Sequence, residues 1–92
     1  MTVETTSTAT LTLNVRYFAA ARAAAGAETE TVDVAPGTTV AALVDTLAAR
    51  SPKLALVLRR CTFLCDGFAV RDETAKLTSG QIIDVLPPFA GG

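Results

Sequence analysis

The chain has 92 residues, eight Lys and Arg against nine Asp and Glu, a formal net charge of −1, and no histidine. This length suits one domain with a single core of two packed layers. A net charge of −1 gives no excess of positive charge that would favour binding to nucleic acid or to an anionic membrane. Lack of histidine removes the commonest general base and zinc ligand, and two cysteines are too few for a structural zinc site. We therefore expect a small binding or carrier module, with no metal and no bound cofactor, rather than an autonomous enzyme.

The first nine residues, MTVETTSTA, offer almost nothing to bury and include one acid. They lack the basic and apolar regions of a secretory signal, and no apolar run approaches the roughly 18 residues of a membrane span. We predict a flexible tail over 1–9, a folded domain over 10–86 and a protruding C-terminal segment over 87–92. The protein is expected to be cytoplasmic.

The first predicted strand shows strict alternation with polar residues at Leu11, Leu13, Val15 and Tyr17. Phe18 then leads into an alanine-rich stretch, 19–25, which predicts a short helix ended by Gly26. A second strand is predicted over 29–34, and Pro36-Gly37 breaks it.

The main helix is predicted to follow, capped by Thr38 or Thr39 and closed by Arg50 near its negative end. One apolar stripe, suited to covering a sheet, falls at i, i+3, i+4 and i+7: Val40, Leu43, Val44 and Leu47. Ser51-Pro52 supplies the N-cap and the first residue of a shorter helix. Its inward-facing residues are Leu54, Val57 and Leu58.

Asp66-Gly67 lies between two short apolar runs and predicts a hairpin of strands 62–65 and 68–71. In an extended chain the Cα atoms of Cys61 and Cys65 lie about 13 Å apart, too far for a disulfide. We interpret both cysteines as small buried hydrophobic residues, and a redox pair is the alternative.

The final strand is predicted over 81–86, after a connection whose Leu77 fills the core and a turn at Ser79-Gly80. Apolar residues occupy both of its faces, Ile83 and Val85 on one and Ile82 and Leu86 on the other. This pattern indicates a central strand or a partner surface. The order strand, strand, helix, short helix, hairpin, strand predicts an α+β fold of the ubiquitin-like β-grasp type. We expect a mixed sheet of about five strands with one main helix and short extra helices.

The sequence ends in Pro87, Pro88, Phe89, Ala90, Gly91 and Gly92. Extended, these six residues reach about 20 Å. Gly-Gly has no side chains to hinder passage through a narrow channel, and the two prolines limit the freedom of the tail before binding. We therefore expect the tail to carry the α-carboxylate of Gly92 into the active site of a partner. The alternative is a flexible end without a role.

Four segments carry a family resemblance: 15–19 (VRYFA), 37–40 (GTTV), 77–80 (LTSG) and 86–92 (LPPFAGG). With them the chain resembles the small sulfur-carrier subunit of molybdopterin synthase, the MoaD-like branch of the MoaD/ThiS family of β-grasp sulfur carriers. The resemblance covers most of residues 10–92, and the Pro-Pro-x-Ala-Gly-Gly ending is its most specific part. Phe89 stands where this branch often has Val, which leaves the tail chemistry intact.

The resemblance implies a carrier cycle in which the catalytic groups belong to the partners. A MoeB-like enzyme would use ATP to adenylate Gly92, and a sulfur donor protein would convert the carboxylate to a thiocarboxylate. The tail would then enter the MoaE-like large subunit of molybdopterin synthase, where the sulfur passes to cyclic pyranopterin monophosphate. Adenylation supplies the leaving group that a carboxylate lacks, and a thiocarboxylate is a stronger nucleophile than a carboxylate.

Partner docking is expected on an exposed sheet face near the tail. The candidate anchors are the phenylalanines Phe18, Phe63, Phe68 and Phe89, with Leu64, Ile82 and Leu86 behind them. Core packing is the alternative for each, and we favour it for Phe63 and Phe68. Basic side chains that can pair with acids on a partner are Arg59, Arg60 and Arg71, although surface arginines are usually only solvated.

Three other functions stay open. A carrier of this kind can deliver sulfur for thiamin thiazole, cysteine or another thiolated metabolite, and the identity of the captured partner would decide this. A ubiquitin-like protein modifier would form a ladder of conjugates that disappears without Gly92. An interaction module with an inert tail would keep its function after deletion of Gly91-Gly92.

Overall fold

Five strands form one mixed sheet in the computed structural model, which describes residues 10–88. The strands are β1 (Leu11–Tyr17), β2 (Thr29–Val34), β3 (Thr62–Cys65), β4 (Phe68–Ala69) and β5 (Ile82–Leu86). The helices are α1 (Ala19–Ala25), α2 (Val40–Ala48) and α3 (Pro52–Leu58). The strand order is β2-β1-β5-β3-β4, with β1 and β5 parallel and the other pairs antiparallel. This architecture confirms the predicted ubiquitin-like β-grasp. The predicted tails at 1–9 and 89–92 lie outside the described residues.

One face of the sheet packs against the helices and forms the core. Alternate residues of β1 and β5 are buried there, because successive side chains of a strand point to opposite faces. The largest fully buried side chains are Leu13, Val15, Tyr17, Val40, Leu43, Leu47, Leu54, Ile83 and Val85. The predicted stripe of α2 is therefore confirmed, with Val44 only partly buried. Leu77 also lies in the core as predicted.

Side-chain caps begin the helices α2 and α3. Thr39 rather than Thr38 caps α2, because its Oγ1 accepts from the Ala42 N–H at 3.1 Å. The Thr38 hydroxyl instead donates to the Ala35 carbonyl at 2.6 Å. Ser51 caps α3, as predicted, by accepting from the Leu54 N–H at 3.1 Å. These caps satisfy N–H groups that the first turn of a helix leaves unpaired.

The predicted hairpin turn is confirmed at Asp66-Gly67, where both residues have positive φ (50° and 88°). A two-residue hairpin turn of this kind needs the left-handed region at both positions. Asp66 also ties the hairpin to β5: its N–H donates to the Ile82 carbonyl at 2.8 Å, and its carboxylate accepts from the Ile82 N–H at 2.9 Å.

Two strand boundaries differ from the prediction. The strand predicted over 68–71 ends at Ala69, because the chain turns away at Asp72, whose carboxylate accepts from the Thr74 N–H and hydroxyl at 2.9 and 2.5 Å. The final strand begins at Ile82 rather than at residue 81, because the Gln81 side chain accepts from the Thr78 N–H at 2.8 Å within the preceding turn.

Two residues occupy other environments than predicted. Phe68 is 79% exposed, so the interpretation of it as a core residue is wrong, whereas Phe63 is buried as expected. Phe68 pairs with Cys65 on the edge strand β4, at the margin of the sheet. Arg50 does not close α2: the helix ends at Ala48, and the Arg50 guanidinium binds Glu30 of β2.

Candidate functional site

The face of the sheet opposite the core is here called the open face, and its central residues are Arg16, Leu64, Ile82, Asp84 and Leu86. The register places Arg16 beside Asp84 across the parallel β1–β5 pair, and Leu64 opposite Asp84 across β3–β5. Ile82 and Leu86 lie on the same face because they are two residues either side of Asp84.

Phe18 extends this face beyond the end of β1. Its backbone is extended, with φ −120° and ψ 149°, and its N–H donates to the Val85 carbonyl at 3.2 Å, so the alternation of β1 continues. The Arg16 guanidinium lies 5.8 Å from the centroid of the Phe18 ring. The two are therefore on the same side of the sheet, in a cation–π arrangement.

The structure brings four of the predicted contact residues onto this one face. Phe18 and Ile82 are each 37% exposed, and Leu64 and Leu86 are partly buried. Phe89, another predicted contact, lies outside the described residues. A surface with several partly exposed apolar side chains beside one another suits a protein partner.

A bidentate ion pair at the centre of the open face was not predicted. Arg16 donates from Nε to Asp84 Oδ1 at 2.5 Å and from Nη2 to Oδ2 at 2.8 Å, and Asp84 is only 5% exposed. The hydrogen bond and the negative charge of Asp84 raise the pKa of Arg16. The sequence shows only that β1 carries a basic residue and β5 an acidic one. These charges predict an ion pair only once the register between the two strands is known.

The chain leaves the sheet on the helical side of β5. Pro87 is buried and Pro88 is exposed. Both line a groove of about 460 Å³ whose other lining residues are Ala20 of α1 and Leu56, Val57 and Arg60, on or next to α3. The remaining predicted tail residues, Phe89, Ala90, Gly91 and Gly92, lie outside the described residues. The described part of the tail therefore begins against the helices.

A second polar cluster lies at the rim of the core and consists of Tyr17 of β1, Glu30 of β2 and Arg50, which follows α2. Glu30 accepts from the Tyr17 hydroxyl at 2.6 Å and from Arg50 Nη1 at 2.5 and 2.6 Å. Burial acts to raise the pKa of Glu30, but the hydrogen bonds from Arg50 and Tyr17 outweigh it and lower the pKa overall. Burial and the Glu30 hydrogen bond raise the pKa of Tyr17. All three groups satisfy one another, so this cluster serves the fold.

Cys61 and Cys65 are free thiols, and both pack against the core but are only partly buried, not fully buried as predicted. The Cys61 thiol donates to the Val57 carbonyl at 3.2 Å, and burial raises its pKa. Burial and the charge of Asp66 raise the pKa of Cys65. Both changes favour the thiol over the reactive thiolate. Within residues 10–88 no group of three or more His, Cys, Asp or Glu side chains is placed to hold a metal ion.

The described helices are also too short to cross a membrane: none of those within residues 10–88 combines the length and apolar character of a span.

Solved structures of other proteins share this fold, among them the following three. A putative molybdopterin converting factor subunit 1 from Pyrococcus furiosus is 23% identical, with a TM-score of 0.77 over 85% of this chain and 98% of that chain. The small archaeal modifier protein SAMP1 from Haloferax volcanii is 26% identical, with a TM-score of 0.74 over 88% and 99%. In a complex of subunits 1 and 2 of molybdopterin-converting factor from Helicobacter pylori 26695, the matching chain is 20% identical, with a TM-score of 0.65 over 89% and 100%.

No curated protein sequence matches the chain. The family model described as ThiS family matches residues 15–92, which include β1 from Val15 onward, the remaining strands, all three helices and the Gly91-Gly92 ending. Fold and family match agree on a sulfur-carrier or ubiquitin-like β-grasp protein of the ThiS and MoaD kind. The chain belongs to the ThiS family.

Proposed function

We propose that the chain is a sulfur carrier in molybdenum cofactor biosynthesis, with the α-carboxylate of Gly92 as the group that carries sulfur. In this cycle a MoeB-like enzyme uses ATP to adenylate Gly92 and releases pyrophosphate. Sulfur that a donor protein supplies at the sulfide level then attacks the acyl carbon, so that a C–S bond forms as the C–O bond to AMP breaks, and the thiocarboxylate results. The loaded tail then delivers sulfur to cyclic pyranopterin monophosphate in the MoaE-like large subunit of molybdopterin synthase. The chain acts as a non-catalytic carrier subunit, and its location is the cytoplasm.

The observation that carries the proposal is that the family match extends through residue 92 and so includes the Gly-Gly ending. Two molybdopterin-converting factor subunits share the fold, and the Pro87-Pro88-Phe89-Ala90 sequence before Gly-Gly favours the same client. Among the described residues, burial raises the pKa of both free thiols, Cys61 and Cys65, which favours the less reactive thiol form over the thiolate that a competing sulfur carrier would need.

The open face is the proposed docking surface for the large subunit. It presents Phe18, Ile82 and Leu86 on the same sheet whose last strand leads into the tail. Docking there would bury these apolar side chains while Pro87, Pro88, Phe89, Ala90 and Gly91 extend into the partner's active site. The Helicobacter pylori complex pairs a subunit of this fold with a second subunit, which supports a larger partner for this chain as well.

The test is loading of the purified chain with ATP, a sulfur source and a MoeB-like enzyme, followed by intact and fragment mass spectrometry. We expect exchange of one oxygen for sulfur, localised to Gly92. A Cys61→Ser, Cys65→Ser double variant should load equally well, which separates the thiocarboxylate from a persulfide. A chain without Gly92 should not load. An unmodified Gly92, with the enzymes active on a control carrier, would overturn the proposal.

The client is tested by capturing partners with the loaded chain. Recovery of a pterin synthase subunit supports the molybdopterin assignment. Recovery of a thiazole synthase or a cysteine synthase instead would assign the same carrier chemistry to another pathway.

A protein modifier is the second candidate, and the likeness to a small archaeal modifier protein favours it. A modifier would link Gly92 to lysines of many targets, so a tagged chain expressed in cells would give a ladder of covalent conjugates. A single non-covalent partner, with no ladder in wild-type cells, would count against this function.

A further inference from the structure

The groove beside the tail combines an apolar surface with neighbouring positive charge. Its lining includes Ala20, Val57 and Pro87, and Leu56 on its margin is 62% exposed. Arg59 and Arg60 follow α3 directly, and a smaller depression is lined by Leu56 with both arginines. The groove lies among the helices, whereas the residues of the open face lie on the opposite side of the sheet.

The charges at this groove have no carboxylate partner within residues 10–88. The ion pairs of the described chain are Arg16–Asp84, Arg22–Glu28 and Arg50–Glu30, and neither Arg59 nor Arg60 takes part in one. The negative end of the α3 dipole favours cations at these positions. The helix dipole accounts for the two arginines, but it does not account for the exposed Leu56. This leucine lies one turn before them, beside buried Pro87 and exposed Pro88. An apolar depression next to two guanidinium groups that form no ion pair within the described part of the chain is complementary to an acidic segment that also carries an apolar side chain.

We propose that this groove, with Arg59 and Arg60, is a second docking surface, and that it binds an acidic, partly apolar segment of the enzyme that adenylates the tail. The identity of that partner rests on the proposed function. A segment bound here would contact Pro87 and Pro88 and fix the direction in which the tail leaves the domain. Because the groove and the open face are on opposite sides of the sheet, the activating enzyme has contacts on the carrier that a partner bound to the open face does not need.

The experiment compares three variants in the adenylation reaction. Arg59→Gln with Arg60→Gln removes both charges, and Leu56→Ser removes the apolar contact without changing charge. Lys53→Gln with Lys76→Gln is the matched control, because these exposed residues line neither the groove nor the adjacent depression and the change in net charge is the same. Circular dichroism and thermal melting verify that each variant is folded.

We expect the Arg59/Arg60 double variant to raise the KM for the carrier about fivefold or more, with kcat within about twofold, because lost docking reduces binding rather than chemistry. Leu56→Ser should raise KM by about threefold, and the control by less than twofold. Added salt should raise the wild-type KM more than that of the Arg59/Arg60 double variant.

Equal effects of the Arg59/Arg60 and Lys53/Lys76 double variants would overturn the docking surface, because they would reflect net charge alone. An unchanged KM in both the Arg59/Arg60 and the Leu56 variants, with wild-type Gly92 adenylated normally, would overturn the docking surface and leave the proposed function standing. A wild-type chain that a competent enzyme does not adenylate would overturn both.

Discussion

The two faces of β5 carry similar apolar residues in different surroundings. Ile83 and Val85 are buried against the helices, while Ile82 and Leu86 lie on the open face and stay partly exposed. On the covered face, burial stabilises the fold. On the open face the same residue types remain in contact with water, which contributes little to folding and suits a surface that a partner covers. The difference separates residues that the fold needs from residues that the proposed carrier function needs.

Each face also holds one carboxylate that is bound by an arginine. Glu30 joins β2 to Tyr17 and Arg50 at the rim of the core, and Asp84 binds Arg16 at the centre of the open face. The first cluster links distant parts of the chain. The second keeps a charge in the middle of an apolar surface, where any docked partner has to accommodate the half-exposed guanidinium.

The largest expected difference in stability between the two faces is that between variants of two neighbouring isoleucines, Ile83 and Ile82. Ile83→Ala should lower the free energy of unfolding by about 3 kcal/mol, because Ile83 is 1% exposed and its removal leaves a cavity. Ile82→Ala should lower it by less than about 1 kcal/mol. Urea unfolding of both variants measures the difference.

The functional effects of the same pair should be reversed. With Ile82→Ala the affinity for the proposed partner, the large subunit of molybdopterin synthase, should fall about tenfold, as expected for loss of an apolar contact at the centre of an interface. Equal stability losses in the two isoleucine variants, or full affinity in Ile82→Ala, would contradict the division between the faces.

The ion pair on the open face is tested by removing its basic partner. Arg16→Met should lower Tm by about 5 °C, because it leaves the buried Asp84 carboxylate without its bidentate donor. Arg22→Met is the control, since the Arg22–Glu28 pair is long, at 3.6 Å, and exposed on both sides. We expect a change of less than about 1 °C for it. Differential scanning calorimetry at pH 7 compares the two, and equal shifts would show that Asp84 does not need Arg16.

The cluster at the rim of the core should make stability depend on pH. The pKa of Glu30 lies below its ordinary value of 4.5 in the folded chain, so its contribution is present above pH 4.5 and is lost as the pH falls through the folded value. Between pH 7 and pH 3, the wild type should therefore lose about 1 kcal/mol more stability than Glu30→Gln. Asp45→Asn removes an exposed carboxylate that binds no basic side chain within residues 10–88 and is the charge-matched control. Parallel pH profiles for the wild type and Glu30→Gln would disprove the assignment.

Local chemistry made most of the fold predictable. Alternation in β1, the Ser51-Pro52 start of α3 and the Asp66-Gly67 turn each depend on a few neighbouring residues, and the structure confirms them. The Arg16–Asp84 pair depends on the register of two strands 68 positions apart, which no local pattern reports. The groove beside the tail was missed for the same reason, because it needs the packing of α1 on α3.

The smallest change in stability is expected at Phe68 of the β3–β4 hairpin. Phe68 is also the residue for which the local sequence pattern gave a wrong prediction. Phe63 and Phe68 flank the same turn, but Phe63 pairs with Val85 inside the sheet and Phe68 lies on the edge strand β4. Phe68→Ala should therefore change the free energy of unfolding by less than about 0.5 kcal/mol, whereas Phe63→Ala should cost about 3 kcal/mol or more. Binding to the large subunit should also be unchanged in Phe68→Ala, because Phe68 shares the face of Cys65 and not that of Leu64. Isothermal titration calorimetry and urea unfolding of the two variants test this, and a loss of affinity in Phe68→Ala would extend the docking surface beyond the open face to the edge of the sheet.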